Sequence, residues 1–131
     1  MTPDELMAAA VGVSSRAYAP YSGFRVGAAV LTSSGTVHLG CNVENASYGL
    51  SVCAERSAVF AMAAAHPLDR TVSRVAVASP DAAPCLPCGA CRQVLHEFGC
   101  EEVFVQDGGS VRRHALTELL PHAFGPENLG S

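Results

Sequence analysis

Six cysteines in 131 residues constrain this chain more than any other feature, because three of them crowd into Cys85-Leu86-Pro87-Cys88-Gly89-Ala90-Cys91. The others are Cys41, Cys53 and Cys100. Disulfide frameworks suit small secreted chains that cannot build a core. Here 49% of the residues are apolar, and the length fits one domain with a core of its own. The start, Met1-Thr2-Pro3-Asp4-Glu5, is acidic rather than basic-then-apolar, so no signal peptide is expected. A bilayer span needs roughly twenty consecutive apolar residues, and none is present. The expected location is therefore the cytosol, where crowded cysteines point to metal or redox chemistry.

Charge narrows the partners. The formal net charge is -4, and all eight basic residues are arginines scattered along the chain. Polynucleotide binders neutralise many phosphates and carry a basic stripe. No stripe occurs here, which argues against a DNA or RNA groove.

Patterning predicts a layered α/β domain over residues 1–131, with a polar tail from about residue 125. Thr2, Pro3 and Glu5 form a helix-start signal, and Leu6, Met7, Ala10, Val13 and Ala17 then recur on one face. Val26 to Leu31 is a continuous apolar run, read as a strand covered on both faces. A Ser33-Ser34-Gly35-Thr36 turn leads to a second strand, Val37 to Val43. Cys53 to Ala65 is alanine-rich and helix-forming, and Pro67 stops it. A third strand is Val75 to Ala78, a second short helix Gly89 to Phe98, a fourth strand Val103 to Val105 and a fifth Val111 to Ala115. Leu116 to Phe124 reads as a last helical turn.

Two segments carry chemistry, Cys53-Ala54-Glu55-Arg56 and Pro87-Cys88-Gly89-Ala90-Cys91-Arg92-Gln93. Each sets a cysteine at a predicted helix start, where free amides and the helix dipole favour thiolate, the form that binds zinc. Cys53, Cys88 and Cys91 make three ligands. A structural zinc site is closed by four protein ligands, whereas a catalytic one leaves a position for water. Glu55 is too near Cys53 to be an ordinary fourth ligand but stands well for proton transfer beside that water. Zinc nucleobase deaminases use such a set, three Cys or His/Cys/Cys with a non-ligating Glu, and Cys53-x-Glu55 selects the three-cysteine branch.

On these motifs, together with Tyr21-Ser22-x-Phe24-x-Val26-Gly27-Ala28-Ala29 and Asn42-Val43-Glu44-Asn45-Ala46-Ser47-Tyr48, the chain resembles the small homotetrameric cytidine deaminases from about Tyr18 to Phe124. The resemblance implies a three-layer domain with a mixed five-stranded sheet between helices. It also implies one Zn²⁺ per subunit on Cys53, Cys88 and Cys91, with Glu55 as the proton shuttle. The implied reaction is hydrolysis of free cytidine and deoxycytidine to the uridines and ammonia, in pyrimidine salvage, without an organic cofactor. Substrate contacts are implied for Phe24, Asn42, Glu44, Ala46, Tyr48, Ala54 and Phe124, of which Phe124 and the 46–48 segment reach a neighbouring subunit's site.

Several positions admit two readings. Three thiolates and Zn²⁺ sum to minus one, so Arg56 can serve the sulfurs as an outer hydrogen-bond donor or simply lie on the surface; Arg92 is a further candidate for that task. Asn42 and Glu44, two apart at a strand end, can project together toward ribose hydroxyls, where Glu44 would repel a phosphate, or be polar loop-edge residues. Phe24 fits an apolar wall for a flat base or an ordinary core. Cys41 and Cys100 read as small buried hydrophobes. Cys85 lies outside the family pattern, and if it bound the metal the site would close. His38, His66, His96, His114 and His122 share no motif. The rivals are a sister deaminase acting on an aminonucleoside antibiotic or a nucleotide, and a non-catalytic zinc or thiol-redox module built on Cys88-Gly89-Ala90-Cys91.

Overall fold

Residues 1–130 are described by the computed structural model. The first helix, α1 (Pro3–Ser14), begins on a capping box: Thr2 Oγ1 accepts from Glu5 N at 3.1 Å, and Glu5 Oε1 accepts from Thr2 N at 2.9 Å. Two amides that a helix start leaves orphaned are thereby satisfied. It ends at Ser14, short of Ala17. Ser14 and Ser15 turn their hydroxyls back onto the Val11 and Gly12 carbonyls, competing with further helix for those acceptors.

Five strands follow the apolar runs: β1 (Gly27–Thr32), β2 (Val37–Cys41), β3 (Val72–Ala78), β4 (Glu102–Asp107) and β5 (Ser110–Ala115). Their order is β2-β1-β3-β4-β5, antiparallel except for the β3–β4 pair. A parallel pair needs a crossover. Helix α3 (Gly89–Glu97) lies in that connection, while α2 (Ala54–Ala65) joins β2 to β3. The fold is thus a mixed five-stranded sheet between helical layers, as expected.

Burial on both faces explains the apolar runs 28–31 of β1 and 75–78 of β3. Ala29, Ala76, Ala78 and Phe104 meet Leu6, Met7 and Ala10 of α1 on one face. Ala28, Val30, Val75, Val77, Val103 and Val105 meet Ala58, Val59, Met62 and Leu95 on the other. Small residues let the layers close up. At Gly40 of β2, an added Cβ would collide with the backbone of Ala54 and Ala58, so α2 sits directly on that strand.

Two boundaries differ from expectation. Strand β2 stops at Cys41 rather than Val43, because the Asn42 side chain replaces the ladder. Its Oδ1 accepts from Val26 N at 2.8 Å, and its Nδ2 donates to the Phe24 carbonyl at 2.7 Å. The last helix, α4 (Leu116–Leu119), is one turn long and does not reach Phe124. Pro121 disfavours helical backbone at Leu120, which adopts φ -138°. No described helix is long and apolar enough to cross a membrane.

Candidate active site

Helices α2 and α3 start side by side. Cys53 is the N-cap of α2 and Cys88 the N-cap of α3, both extended, and neither side chain caps its own helix. Their sulfurs are therefore free for other work, and Cys91 adds a third from the first turn of α3. The three Sγ atoms lie within 4.8 Å of one another, with Cys53–Cys88 at 3.8 Å and Cys88–Cys91 at 3.4 Å. Thiolates at about 2.3 Å around a tetrahedral zinc stand about 3.8 Å apart, close to the spacing of this trio. Cys85 is not among them, so the cluster offers three ligands and not four.

Charge concentrates where a cation would neutralise it. The Cys53 thiol is lowered to about 5, chiefly by its hydrogen bond with Cys91 and then by Arg56, against the penalty of burial. Cys91 moves the opposite way, because it keeps the proton it shares with Cys53 and is itself buried. Arg56 Nη2 donates to Cys53 Sγ at 3.2 Å, whereas its buried Nε–H finds no partner among the described residues. Arg92 does not join them: it donates to the carbonyls of Pro87 and Leu119, both at 2.8 Å, and so braces the loop that delivers Cys88.

Glu55 is a first-turn residue of α2, only 4% exposed. Burial pushes its carboxyl up to about 7, and the Cys53 charge adds to that, against its own backbone amide. A carboxyl in that range can exchange protons in both directions near neutrality. It opens, with Cys53, Ala54 and Cys88, onto a cavity of about 250 Å³ walled by Phe24, Val26, Asn42, Cys85 and Leu86. Cys85 is thus a wall residue, its thiol raised to about 11 mainly by burial.

The expected substrate residues divide. Phe24, Asn42 and Ala54 line the Glu55 cavity. Glu44 does not: it lines an adjoining recess with Tyr21, Ser22, Tyr48 and Ser51. Beyond the end of β2 the alternation that would aim Asn42 and Glu44 together no longer holds. Glu44 Oε1 accepts from Tyr21 N and Ser22 N, each at 3.1 Å, and Oε2 accepts a short bond from Ser22 Oγ. Those bonds hold its carboxyl below the usual range, Ser22 foremost. Ala46, Tyr48 and Phe124 face outward, Tyr48 at 75% and Phe124 at 62% exposure.

Three contributors carry no role in the sequence reading. Asp81 clasps Arg25 through the backbone N at 2.8 Å and the guanidinium at 3.0 and 3.2 Å, tying the Phe24 loop to the loop that leads to the cysteines. Ser22 supplies the bonds to Glu44. Gln93 donates to the Phe124 carbonyl at 2.8 Å. Only Gln93 has a local signal, its place on the cysteine-bearing helix; the Arg25–Asp81 pair joins residues too distant in sequence for pattern reading.

A mixed sheet carrying a thiol trio at two helix starts, with a buried carboxylate beside it, defines a zinc-site fold that the comparisons identify. Residues 1–107 match the cytidine and deoxycytidylate deaminase zinc-binding region, and the chain belongs to that family. The cytidine deaminase of Sporosarcina psychrophila is 40% identical over 132 residues, 98% of this chain and 96% of the relative. That of Halalkalibacterium halodurans is 43% identical over 127 residues, 95% of each. The crystal structure of cytidine deaminase from Burkholderia pseudomallei superposes with a TM-score of 0.84 at 48% identity, covering 95% of this chain and 100% of that one.

Proposed function

We propose that the chain is a cytidine deaminase, hydrolysing the 4-amino group of free cytidine and deoxycytidine. The observation that carries this reading is a buried carboxyl beside a three-sulfur cluster that keeps one zinc position open. Cys53, Cys88 and Cys91 would hold the ion, which when bound supplies the Lewis acidity that makes water nucleophilic near neutral pH. Arg56 offsets the excess charge of three thiolates through its bond to Cys53. Glu55 takes the proton of the attacking water and delivers it to ring N3, making C4 electrophilic. The water oxygen bonds C4. Glu55 then takes the proton of that new 4-hydroxyl and passes it to the amino group, and the C4–N4 bond breaks as the C4 carbonyl forms, releasing ammonia. Phe24 and Ala54 give the flat ring apolar walls, and Asn42 closes the cavity on its polar side. Glu44, placed in the adjoining recess, disfavours a phosphate there and so favours nucleosides.

Tyr48 and Phe124 stand exposed, which supports contacts beyond this subunit. Leu39, Phe60 and Leu50 are exposed as well, apolar surface that a neighbouring subunit would cover. We infer a homotetramer in which Phe124 and the 46–48 segment complete a neighbour's site, acting in the cytoplasm in pyrimidine salvage. Ultraviolet assay of cytidine, deoxycytidine and deoxycytidylate tests the substrate reading, with Glu55→Gln as the control. A turnover loss of about 10²–10⁴-fold is expected for Glu55→Gln with zinc retained. Faster turnover of the phosphorylated substrate would overturn the choice of nucleoside.

A further inference from the structure

The stretch that carries Phe124 has no helix or strand of its own, since α4 ends at Leu119. The ring is therefore only as fixed as its backbone anchors. One helix supplies them. Arg92 holds the Leu119 carbonyl, Gln93 Nε2 holds the Phe124 carbonyl, each at 2.8 Å, and His96 Nε2 stands 3.3 Å from Glu127 Oε1. Gln93 and His96 are three apart and Arg92 and His96 four, so all three lie along one face of α3. Between the last two anchors the chain passes through Gly125, which is buried. A Cβ there would meet the His96 imidazole and both Glu127 carboxylate oxygens, the latter at 2.6 and 2.7 Å. Gly125 is thus the one residue that lets the His96–Glu127 pair close over the backbone.

We propose that Gln93 is a positioning residue: its amide, backed by the His96–Glu127 clasp over Gly125, holds the Phe124 ring ready for substrate in a neighbouring subunit. The inference rests on the reading of Phe124 as a contact made across the subunit boundary. Helix α3 carries Cys88 and Cys91 at its start and this anchor a turn later, so the cysteine loop and the exported ring are set by the same rigid element. An anchored ring is ordered before substrate arrives, and the ordering cost is not charged to binding. Removing the anchor therefore acts on KM, by on the order of three- to ten-fold, and leaves kcat nearly unchanged.

Gln93→Met keeps the length and removes the donor. Gly125→Ala opens the clasp from the tail without touching α3, and is the second route should Gln93→Met lose zinc or unfold. Either is compared with Phe124→Ala and with the double variant, by steady-state kinetics on cytidine alongside zinc content. The expected result is a three- to ten-fold higher KM for either single anchor variant, unchanged zinc, and no further rise when the anchor is removed from Phe124→Ala. A rise of the same size in the Phe124→Ala background, or an unchanged KM in both anchor variants, overturns the inference while leaving Phe124 a substrate contact. An unchanged KM in Phe124→Ala overturns that reading, and the inference falls with it.

Discussion

Gly40 is where a single methyl should do the most damage at a distance. A Cβ there would stand 2.6 Å from the Ala54 carbonyl oxygen and 2.9 Å from Ala58 Cα, and closer still to Ala58 N. All three are backbone atoms of α2, so no side chain can swing aside. Restoring ordinary contact at 3.4 Å with the nearest of them requires α2 to retreat by about 1.1 Å from β2. The atoms that must move belong to the turn that carries Cys53 and Glu55. Overpacking of this kind costs about 1–3 kcal/mol, which for a chain of this size lowers the thermal midpoint by roughly 3–12 °C. A misplacement near 1 Å costs about 10² in rate, so kcat/KM on cytidine should fall on the order of 30- to 100-fold in the Gly40→Ala enzyme. The control is Gly12→Ala. Gly12 is an exposed glycine of α1 with nothing within 4 Å of the added atom, and helix propensity predicts stabilisation by about 0.5–1 kcal/mol. Scanning calorimetry and the ultraviolet assay together decide the matter. A Gly40→Ala protein that melts with the wild type means α2 does not sit on β2 as described. One that melts early yet keeps full activity means this contact does not position Glu55.

Metal analysis by emission spectroscopy should find one zinc per subunit in the wild type and in Cys85→Ser, and far less in Cys88→Ser; zinc lost from Cys85→Ser would mean a closed four-sulfur site. Acid should act through carboxylates the fold holds ionised. Asp69 lies below its ordinary range because Ser34 foremost, then Thr32, donates to it. A lowered folded pKa contributes stability that is present above the unfolded value near 3.8 and is lost as pH falls through the folded one. The gap in thermal midpoint between wild type and Asp69→Ala should therefore be full at pH 7 and narrow as pH falls below 3.8; a gap that widens in acid would contradict the sign.

What could be read from the sequence was what is local. The capping box of α1, the apolar runs of β1 and β3 and the alanines of α2 each decide their own structure within a few residues. The thiol trio was legible for the same reason, since both cysteine segments announce themselves as helix starts and only their meeting needed the fold. What resisted reading is long-range or depends on where an element stops. The Arg25–Asp81 clasp, the seating of α2 on Gly40 and the bonds from Ser22 to Glu44 all join distant residues. Asn42 and Glu44 were expected to share a face because a strand would have aimed them together, but the Asn42 amide itself ends the strand.

That termination explains how one small domain makes both a rigid centre and an adaptable mouth. The thiol trio and Glu55 stand on helix starts pressed against the sheet, where Glu55 and Cys91 are buried and displacement is resisted by backbone contact. Loops around the cavity are held by polar side chains such as Asn42, Glu44 and Asp81 rather than by core packing. Changes in the sheet or at helix starts should accordingly fall on kcat, and changes in the polar ties on KM. The Asn42 amide both lines the cavity and holds its wall, so a substitution at Asn42 removes a lining group and loosens the Phe24 loop together. Its effect on binding should exceed that of removing Phe24's ring alone, because the Asn42 group is lost and the ring goes slack as well.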